Sequence, residues 1–361
     1  MISSLLCSHL CSHLPTGQGG LGLRGAEETA AAAYASSYLS AQPYIRRLRG
    51  QQLEDPPSSL PQSILDSISF HTGDLTTKEE LHGLTQKMLG IKIDKHNHAK
   101  LKDEVTQEGN PREMARLASL SLPYAGAWLD AAPVAALGLY LQPSEFTMAA
   151  RYRLGIPVYD QAGPCPACHR LSDRLGDHSL CCGHQGERIS RHNRLRDALH
   201  DVAASAALGP VKEGRFLLPG SDRRPADVFI PGWAAGRDAA LDVTVVNPLQ
   251  AGTVVGASVT PGHALEYRYN AKMSESLEAC DRQGIAFLPI VLESLGGFHP
   301  VATREVKKLA SALARHTGEE EGGTIRKLFV RLSILVMKGN SAMLSNRVPS
   351  LRDTFTEIGE I

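Results

Sequence analysis

The sequence predicts a mixed β-sheet flanked by helices in its second half, an α/β or α+β unit. A small cysteine-rich element and a mostly helical N-terminal region precede it. Beyond residue 186 the hydrophobic patterns follow the order helix, three strands, helix, strand, helix, which is typical of a sheet covered by helices. The run AALDVTVV at residues 239–246 is rich in valine, as expected of a buried strand.

Length and composition are those of an ordinary globular protein. The chain has 361 residues, enough for two domains, and its 42% apolar and 21% charged residues argue against wholesale disorder. Lys and Arg number 38, as do Asp and Glu, so the formal net charge is zero with histidine neutral. This balance excludes a strongly basic nucleic-acid binder but permits a local basic face.

The sequence predicts neither a membrane span nor a secretion signal. The longest apolar stretch, residues 125–141, contains Asp130 and Pro133, and the first residues lack a basic start. Four of the seven cysteines fall within 18 residues, interleaved with histidine. Without a signal peptide, such a cluster indicates metal binding in a reducing, intracellular compartment rather than a disulfide framework.

Capping signals and breaks in periodicity define the expected elements. Helices in the N-terminal region are predicted near the capping residues Thr77, Asn110 and Ser144. Further along, the predicted helices span residues 187–207, 263–282, 303–315 and 324–337. The predicted strands span residues 211–218, 226–230, 239–246 and 285–292. We therefore expect four regions: a helical linker or scaffold (1–162), a zinc knuckle (163–185), the sheet-containing domain (186–340) and a loose polar tail (341–361).

The cysteine-rich element has the spacing of a closed zinc site. Cys165 and Cys168 stand on one tight turn, His178 follows, and Cys182 completes the pattern C-x2-C-x9-H-x3-C. Three sulfur ligands and one nitrogen leave no open position for water, so the Zn²⁺ would be structural. Cys181 competes for the fourth position, and spacing alone does not decide between it and Cys182.

Acidic residues fall in the predicted strands. Asp227 stands at the start of the second strand and Asp242 lies in the third, with 14 residues between them. Adjacent strands would bring both carboxylates to the same edge, where oxygen ligands suit Mg²⁺ or Mn²⁺. Glu213 can join them as a third acid, and Lys272 on the following helix could reach the same edge.

This set of side chains suits metal-assisted phosphodiester hydrolysis. A divalent ion lowers the pKa of a bound water, and a lysine beside that water can orient it and stabilise the charge that develops. The alternative interpretation is structural, because strand acids often serve ion pairs. In that case Asp227 and Asp242 would pair with arginines, namely Arg223, Arg224 or Arg237.

The predicted helix after the knuckle is rich in arginine. Arg188, Arg191 and Arg194 recur at three-residue spacing, which places them on nearby helix faces. Such a face can follow phosphates, and His192 and Asn193 could add DNA contacts. An equally open alternative is a solvated face that pairs with neighbouring acids.

Residues 165–299 resemble the C-terminal part of non-LTR retrotransposon proteins of the restriction-like-endonuclease type. In that family a zinc knuckle precedes an Arg/Lys-His-Asn triplet and a nuclease of the PD-(D/E)XK superfamily. The matching motifs after the knuckle are RHN at 191–193, RPAD at 224–227, DVT at 242–244, Lys272 in AKMSES, and GIAFLPIVLESLGG. Upstream, GGLGLRG, AGAWLDAAP and EFTMAARYRLGIP resemble the family's helical linker.

The resemblance implies a PD-(D/E)XK-like core and an intracellular, nuclear DNA endonuclease. Asp227, Asp242 and Glu213 would hold Mg²⁺ or Mn²⁺ and Lys272 would place the attacking water. The implied partner is target DNA, with element RNA as a further candidate, and no membrane. Such a domain nicks DNA so that a polymerase can prime from the exposed end.

The chain departs from the family pattern in several places. Ala226 separates proline from Asp227, and Thr244 occupies the position of the superfamily's lysine, so Lys272 must supply that function. Glu275 and Ser276 stand where the family often has a lysine and a tyrosine. No Y-x-D-D element occurs, so a polymerase would come from another chain, and we expect a fragment, truncated element or domesticated remnant. The alternative function is an inactive nucleic-acid-binding remnant that uses the knuckle and the arginine-rich helix.

Overall fold

The computed structural model describes residues 11–50, 60–73, 84–184, 186–215, 217–218 and 224–349. The chain divides into two compact units, Met1–Gly109 and Asn110–Ile361. The boundary lies inside the region that the sequence assigned to one helical linker, at a glycine with a left-handed φ of 63° that ends a helix.

The first unit contains three described helices: α1 (Ala26–Leu48), α2 (Gln62–Thr72) and α3 (Gln86–Glu108). Alanines of α1 pack with Ile68 of α2 and Leu89 and Ile93 of α3 to form its core. Thr85 caps the start of α3, and its hydroxyl accepts the Met88 N–H at 3.3 Å. The predicted Thr77 cap lies outside the described residues.

The second unit opens with α4 (Pro111–Leu120) and α5 (Pro143–Leu154). Asn110 caps α4 as predicted, since its side chain accepts the N–H groups of the first turn. The prediction that Ser144 caps the next helix is wrong, because α5 begins at Pro143 and Glu145 accepts the Gln142 N–H at 2.8 Å. Proline suits a first helical position, where its missing N–H costs nothing.

A four-stranded mixed sheet forms the centre of this unit, in agreement with the predicted α/β class. Its strands lie in the order β3 (Val211–Lys212), β4 (Val228–Ala234), β5 (Arg237–Val246) and β6 (Ala286–Glu293). The first two pairings are antiparallel, whereas β5 and β6 are parallel. A separate two-stranded hairpin, β1 (Gly163–Pro164) and β2 (Leu171–Ser172), lies earlier in the chain.

Two strand predictions need correction. The first predicted strand shrinks to the two residues of β3. The second strand continues past Pro231 to Ala234, because a register irregularity after Ile230 accommodates the proline. The turn to β5 is Ala235–Gly236, both with positive φ, as a tight hairpin requires.

Helices cover both faces of the sheet. The helices that follow the β1–β2 hairpin are α6 (Asp177–Cys181), α7 (Glu187–Ser205), α8 (Val254–Val259), α9 (His263–Asp281), α10 (Pro300–Thr317) and α11 (Glu321–Ser345). Leu241 and Val243 of β5 face a core shared with α7, α10 and α11. Ala240, one pleat away, packs with Cys280 of α9 in a separate core. Alternation along β5 therefore assigns α9 to the opposite face.

The final helix replaces part of the predicted tail. The α11 helix continues five residues beyond Asn340, to Ser345, and buries Ser341, Met343 and Leu344. By length and composition it could cross a membrane, but 72% of its most apolar window is buried inside the fold. Packing explains its apolar character, as in other core helices.

Candidate active site and metal centre

The hairpin β1–β2 and the short helix α6 assemble four side chains that could bind a metal such as zinc. Cys165 and Cys168 come from the hairpin, and His178 and Cys182 come from α6 and the residue after it. One ligand atom from each lies within 4.8 Å of all the others. Three thiols and an imidazole at this separation are the donor set of a tetrahedral zinc site.

Hydrogen bonds in the turn before α6 fix the backbone that carries His178. The carboxylate of Asp173 accepts the N–H groups of Leu175, Asp177 and His178, at 2.9, 3.2 and 2.9 Å. Gly176 has a left-handed φ of 85°, and a Cβ there would lie 2.5 Å from a side-chain carbon of Leu344. Only glycine suits both the conformation and the close approach.

Of the two candidate fourth ligands, Cys182 and not Cys181 belongs to the four side chains that come together. The Cys181 thiol accepts a hydrogen bond from Asn247 Nδ2 at 3.4 Å, and burial raises its pKa to about 11. Asn247 also accepts hydrogen bonds from Tyr152 and Ser294. Cys181 is thus part of a polar network that joins α6 to the end of β5.

The two predicted aspartates come together at the sheet. Asp227 directly precedes β4, and its Oδ2 accepts the N–H of Val243 at 2.6 Å. Asp242 is the neighbour of Val243 on β5, and Lys272 of α9 pairs with it at 2.8 Å between Nζ and Oδ2. His192 of α7 is 3.0 Å from Asp227 Oδ1 through its Nε2. Each carboxylate therefore has one basic partner.

The site is open at the point where β4 begins. Val228 is the first β4 residue and pairs with Leu241, so β4 does not cover the part of β5 from Asp242 to Val246. A cavity of about 290 Å³ lies there. Its lining comes from the end of the knuckle, from α7, from β5 and from α9: Gly183, Arg188, Ile189, Arg191, His192, Asp242, Val243, Thr244, Val245, Arg268 and Lys272.

Electrostatics within the site reflect crowded, partly buried charges. Burial raises the pKa of Asp242 to about 6; Lys272 opposes this rise and the charge of Asp227 adds to it. The hydrogen bond to Asp227 raises the pKa of His192, and burial partly offsets that rise. Asp242 and Asp227 therefore repel each other, and an added cation would relieve that repulsion.

The structure does not bring the Glu213 carboxylate into the cavity. Its backbone N–H donates to the Asp227 carbonyl at 3.0 Å, but its side chain pairs with Arg196 and, at 2.9 Å, with Arg224. The proposed third acid is therefore engaged elsewhere. Of the arginines considered as partners of the two aspartates, Arg237 pairs with Asp281 and Arg223 lies outside the described residues.

The arginine-rich helix α7 does not present one uniform face. Arg188 and Arg194 are exposed, whereas Arg191 retains 3% of its exposure. The guanidinium of Arg191 donates to Asn340 at 2.6 Å, its Nε has no hydrogen-bond partner among the described residues, and burial lowers its pKa to about 10. It is a buried cation at the wall of the cavity. Asn193 is half-buried.

Arg268 is a cavity residue that sequence reasoning passed over. It lies one helical turn before Lys272 on α9, and its contacts are long: 3.5 Å from Nε to Thr244 Oγ1 and 3.8 Å from Nη1 to Glu275. The four-residue spacing from Lys272 was the available signal, because residues i and i+4 share a helix face.

No family model and no curated protein matches this chain. Any function assigned to the chain therefore rests on the geometry of the site and on the motifs in its sequence.

Proposed function

We propose that the second unit is a metal-dependent DNA endonuclease domain with a core of the PD-(D/E)XK type. The observation that carries the proposal is the cavity at the open edge of β5. There the Asp242–Lys272 pair lines one wall and the cations Arg188, Arg191 and Arg268 line the others. Acids that can hold a metal, a lysine and an excess of positive charge are what phosphodiester hydrolysis requires.

The order and direction of the strands support this core. One helix, three strands, two helices and a strand parallel to the third follow one another in sequence, and the strands are neighbours in the order β3, β4, β5, β6. The hydrophobic patterns predicted this order with one helix fewer, for the domain in which the resemblance implies a PD-(D/E)XK-like core. The catalytic edge then lies where β4 and β5 cease to pair.

Asp227 and Asp242 are the residues that would hold Mg²⁺ or Mn²⁺. Their oxygens are suitable ligands, and the charge of Asp227 adds to the effect of burial in raising the pKa of Asp242, so a cation between the two carboxylates would favour their ionised forms. A divalent ion bound there would supply an activated water and offset charge on the phosphate. Lys272 would orient the water, and His192 would hold Asp227 in place through the 3.0 Å contact.

The remaining cations would bind the substrate. Arg191 is buried with no carboxylate partner among the described residues, which is costly unless an anion enters the cavity. Arg188 is exposed and Arg268 makes only long contacts, so both are free to meet phosphates beside the scissile one. The Cys₃His cluster would hold Zn²⁺ structurally, since all four ligands come from the protein.

The wider role comes from the sequence resemblance and is part of the proposal. The domain would nick target DNA in the nucleus for a polymerase carried by another chain, with element RNA as a further partner.

The decisive experiment measures nicking of supercoiled plasmid in Mg²⁺ or Mn²⁺. We expect Asp242→Asn and Asp227→Asn each to reduce nicking by about a hundredfold or more, in the range for loss of one key electrostatic group. Asp238→Asn is the matched control, because Asp238 lies on the same strand and binds the Gly232 N–H at 2.9 Å. Equal nicking by the wild type and both aspartate variants would refute the assignment.

A binding module without cleavage is the second candidate. Thr244 lines the cavity where the superfamily has its lysine, and the Glu213 carboxylate is engaged by arginines outside it. Such a module would give salt-dependent complexes with DNA but no nicking in either metal.

A further inference from the structure

A second cationic surface lies apart from the candidate active site. An open groove of about 470 Å³ runs along α10, lined by Trp233, Arg304, Lys307, Lys308, Ser311, Arg315 and Glu321. We call it the α10 groove. It carries four basic and one acidic side chain, although the chain as a whole has no net charge. This concentration of positive charge favours an anionic partner.

A buried carboxylate organises one end of the groove. Glu305 retains 1% exposure and accepts hydrogen bonds from Trp233 Nε1 at 2.9 Å, Arg304 Nε at 2.8 Å and Lys308 Nζ at 3.4 Å. These contacts fix two cationic side chains in place. A fixed cation loses less conformational entropy when an anion binds.

Two further cations of the groove are not held by Glu305. Lys307 and Arg315 are exposed, and neither pairs with a carboxylate in the part of the chain that the structure describes. Positions 304, 307, 308, 311 and 315 recur every three or four residues, so they share one face of α10. They extend over about 16 Å of helix, which gives a row of charge rather than a point.

A row of four cationic side chains suits the phosphate backbone of nucleic acid. The single aromatic side chain, Trp233, packs against the hydrophobic core and uses its Nε1 to hold Glu305. It is therefore a support for the cations and not a free platform for stacked bases. Single-strand binding depends on such platforms, whereas duplex binding depends on phosphate contacts.

We propose that the α10 groove binds the backbone of duplex DNA. The proposal rests on the proposed function in one respect, namely that the duplex is the same one whose backbone enters the cavity. Trp233 belongs to β4, near the start of β5, and Asp242 lies five residues along β5 from Arg237. That is about 17 Å along the strand, less than one turn of B-DNA. Because α9 and α10 lie on opposite faces of the sheet, the duplex would have to pass around the edge of the sheet to contact both sites.

The test measures DNA binding without cleavage. Fluorescence anisotropy with a 30-base-pair labelled duplex, without added Mg²⁺ or Mn²⁺ and without a chelator that would remove Zn²⁺, is recorded over a range of salt concentrations for the wild type and for the double variant Lys307→Ala with Arg315→Ala. The matched control is Arg326→Ala with Lys327→Ala, which removes the same charge from two exposed positions on α11, outside the groove. Melting curves for all three proteins show whether each is folded.

We expect the groove variant to bind duplex about tenfold more weakly, and its plot of log affinity against log salt to be shallower by about two, one unit for each lost phosphate contact. The control should stay within about twofold of wild type. Equal behaviour of groove variant and control overturns the proposal. So does a larger loss for a labelled single strand, or wild-type protein that binds a polyglutamate peptide but not duplex.

Plasmid nicking measured in parallel separates this proposal from the endonuclease. Asp242-dependent nicking combined with unchanged duplex binding by the groove variant overturns the groove alone. Groove-dependent binding by a protein that never nicks overturns the endonuclease alone and leaves the α10 groove as a duplex contact. A graded second variant, Lys307→Glu with Arg315→Glu, should weaken binding further than the alanine pair.

Discussion

Glu293 offers a measurable consequence of burying a charge. This carboxylate ends β6 with 0% exposure, and among the described residues neither of its oxygens has a hydrogen-bond partner. Burial raises its pKa from 4.5 to about 7, and the nearby Ser119 side chain opposes part of that rise. Replacing it with glutamine keeps the shape and removes the titration.

The size and sign of the effect follow from linkage. A pKa difference of about 2.5 corresponds to about 3 kcal/mol at 1.36 kcal/mol per unit. Because the folded-state pKa is the higher one, ionisation opposes folding. The cost is absent below pH 4.5, grows between pH 4.5 and 7, and is complete above pH 7. The wild type should therefore lose about 3 kcal/mol relative to Glu293→Gln between those limits.

Urea unfolding at pH 4.5, 6 and 8 measures this difference. The comparison uses the change with pH and not the absolute stability, because the buried amide of the variant has its own cost. Glu278→Gln, at a side chain that is 81% exposed, controls for removal of a surface carboxylate. Parallel pH profiles for the wild type and Glu293→Gln would refute the reasoning, because the carboxylate would then titrate alike in both states.

Two further predictions concern the knuckle and the buried arginine. Cys168→Ser should lower the zinc content measured by atomic absorption to well below one per chain, whereas Cys181→Ser should leave it unchanged; equal loss in both would contradict the assignment of ligands. Arg191→Ala should change the free energy of unfolding by about 1–3 kcal/mol, because it removes both a buried charge and the donor to Asn340 Oδ1, while Arg194→Ala should change it by less than about 0.5 kcal/mol. Similar urea midpoints for the two arginine variants would contradict the burial argument.

Periodicity predicted the main helices and strands of the second unit well because packing there follows local pattern. The valine-rich strand and the helix that carries Lys272 were expected within about two residues of their observed bounds. Strand pairing was less predictable. The passage of β4 through Pro231 depends on an irregular register with β5, which is a property of two strands and is not visible in either one.

The candidate site was likewise only partly predictable from the sequence. Spacing identified Cys165, Cys168 and His178, because the ligands of a knuckle are close in sequence. Spacing alone did not decide between Cys182 and Cys181. The hydrogen bond that Cys181 accepts comes from Asn247, 66 residues away in sequence. The convergence of Asp227 and Asp242 was expected from adjacent strands. The burial of Arg191 was not, because it depends on Gly339 and Asn340 of a helix late in the chain.

The contact between Asp227 Oδ2 and the Val243 N–H gives Asp227 a structural role in the sheet. Its carboxylate accepts the N–H of a β5 residue that has no pairing partner on β4. Replacing Asp227 by a side chain without a hydrogen-bond acceptor would leave the Val243 N–H unpaired and weaken the sheet, whether or not the residue binds a metal. Among the contacts described, the Asp242–Lys272 pair makes no comparable hydrogen bond to the backbone, so substitutions there would test the proposed metal site with less effect on the sheet.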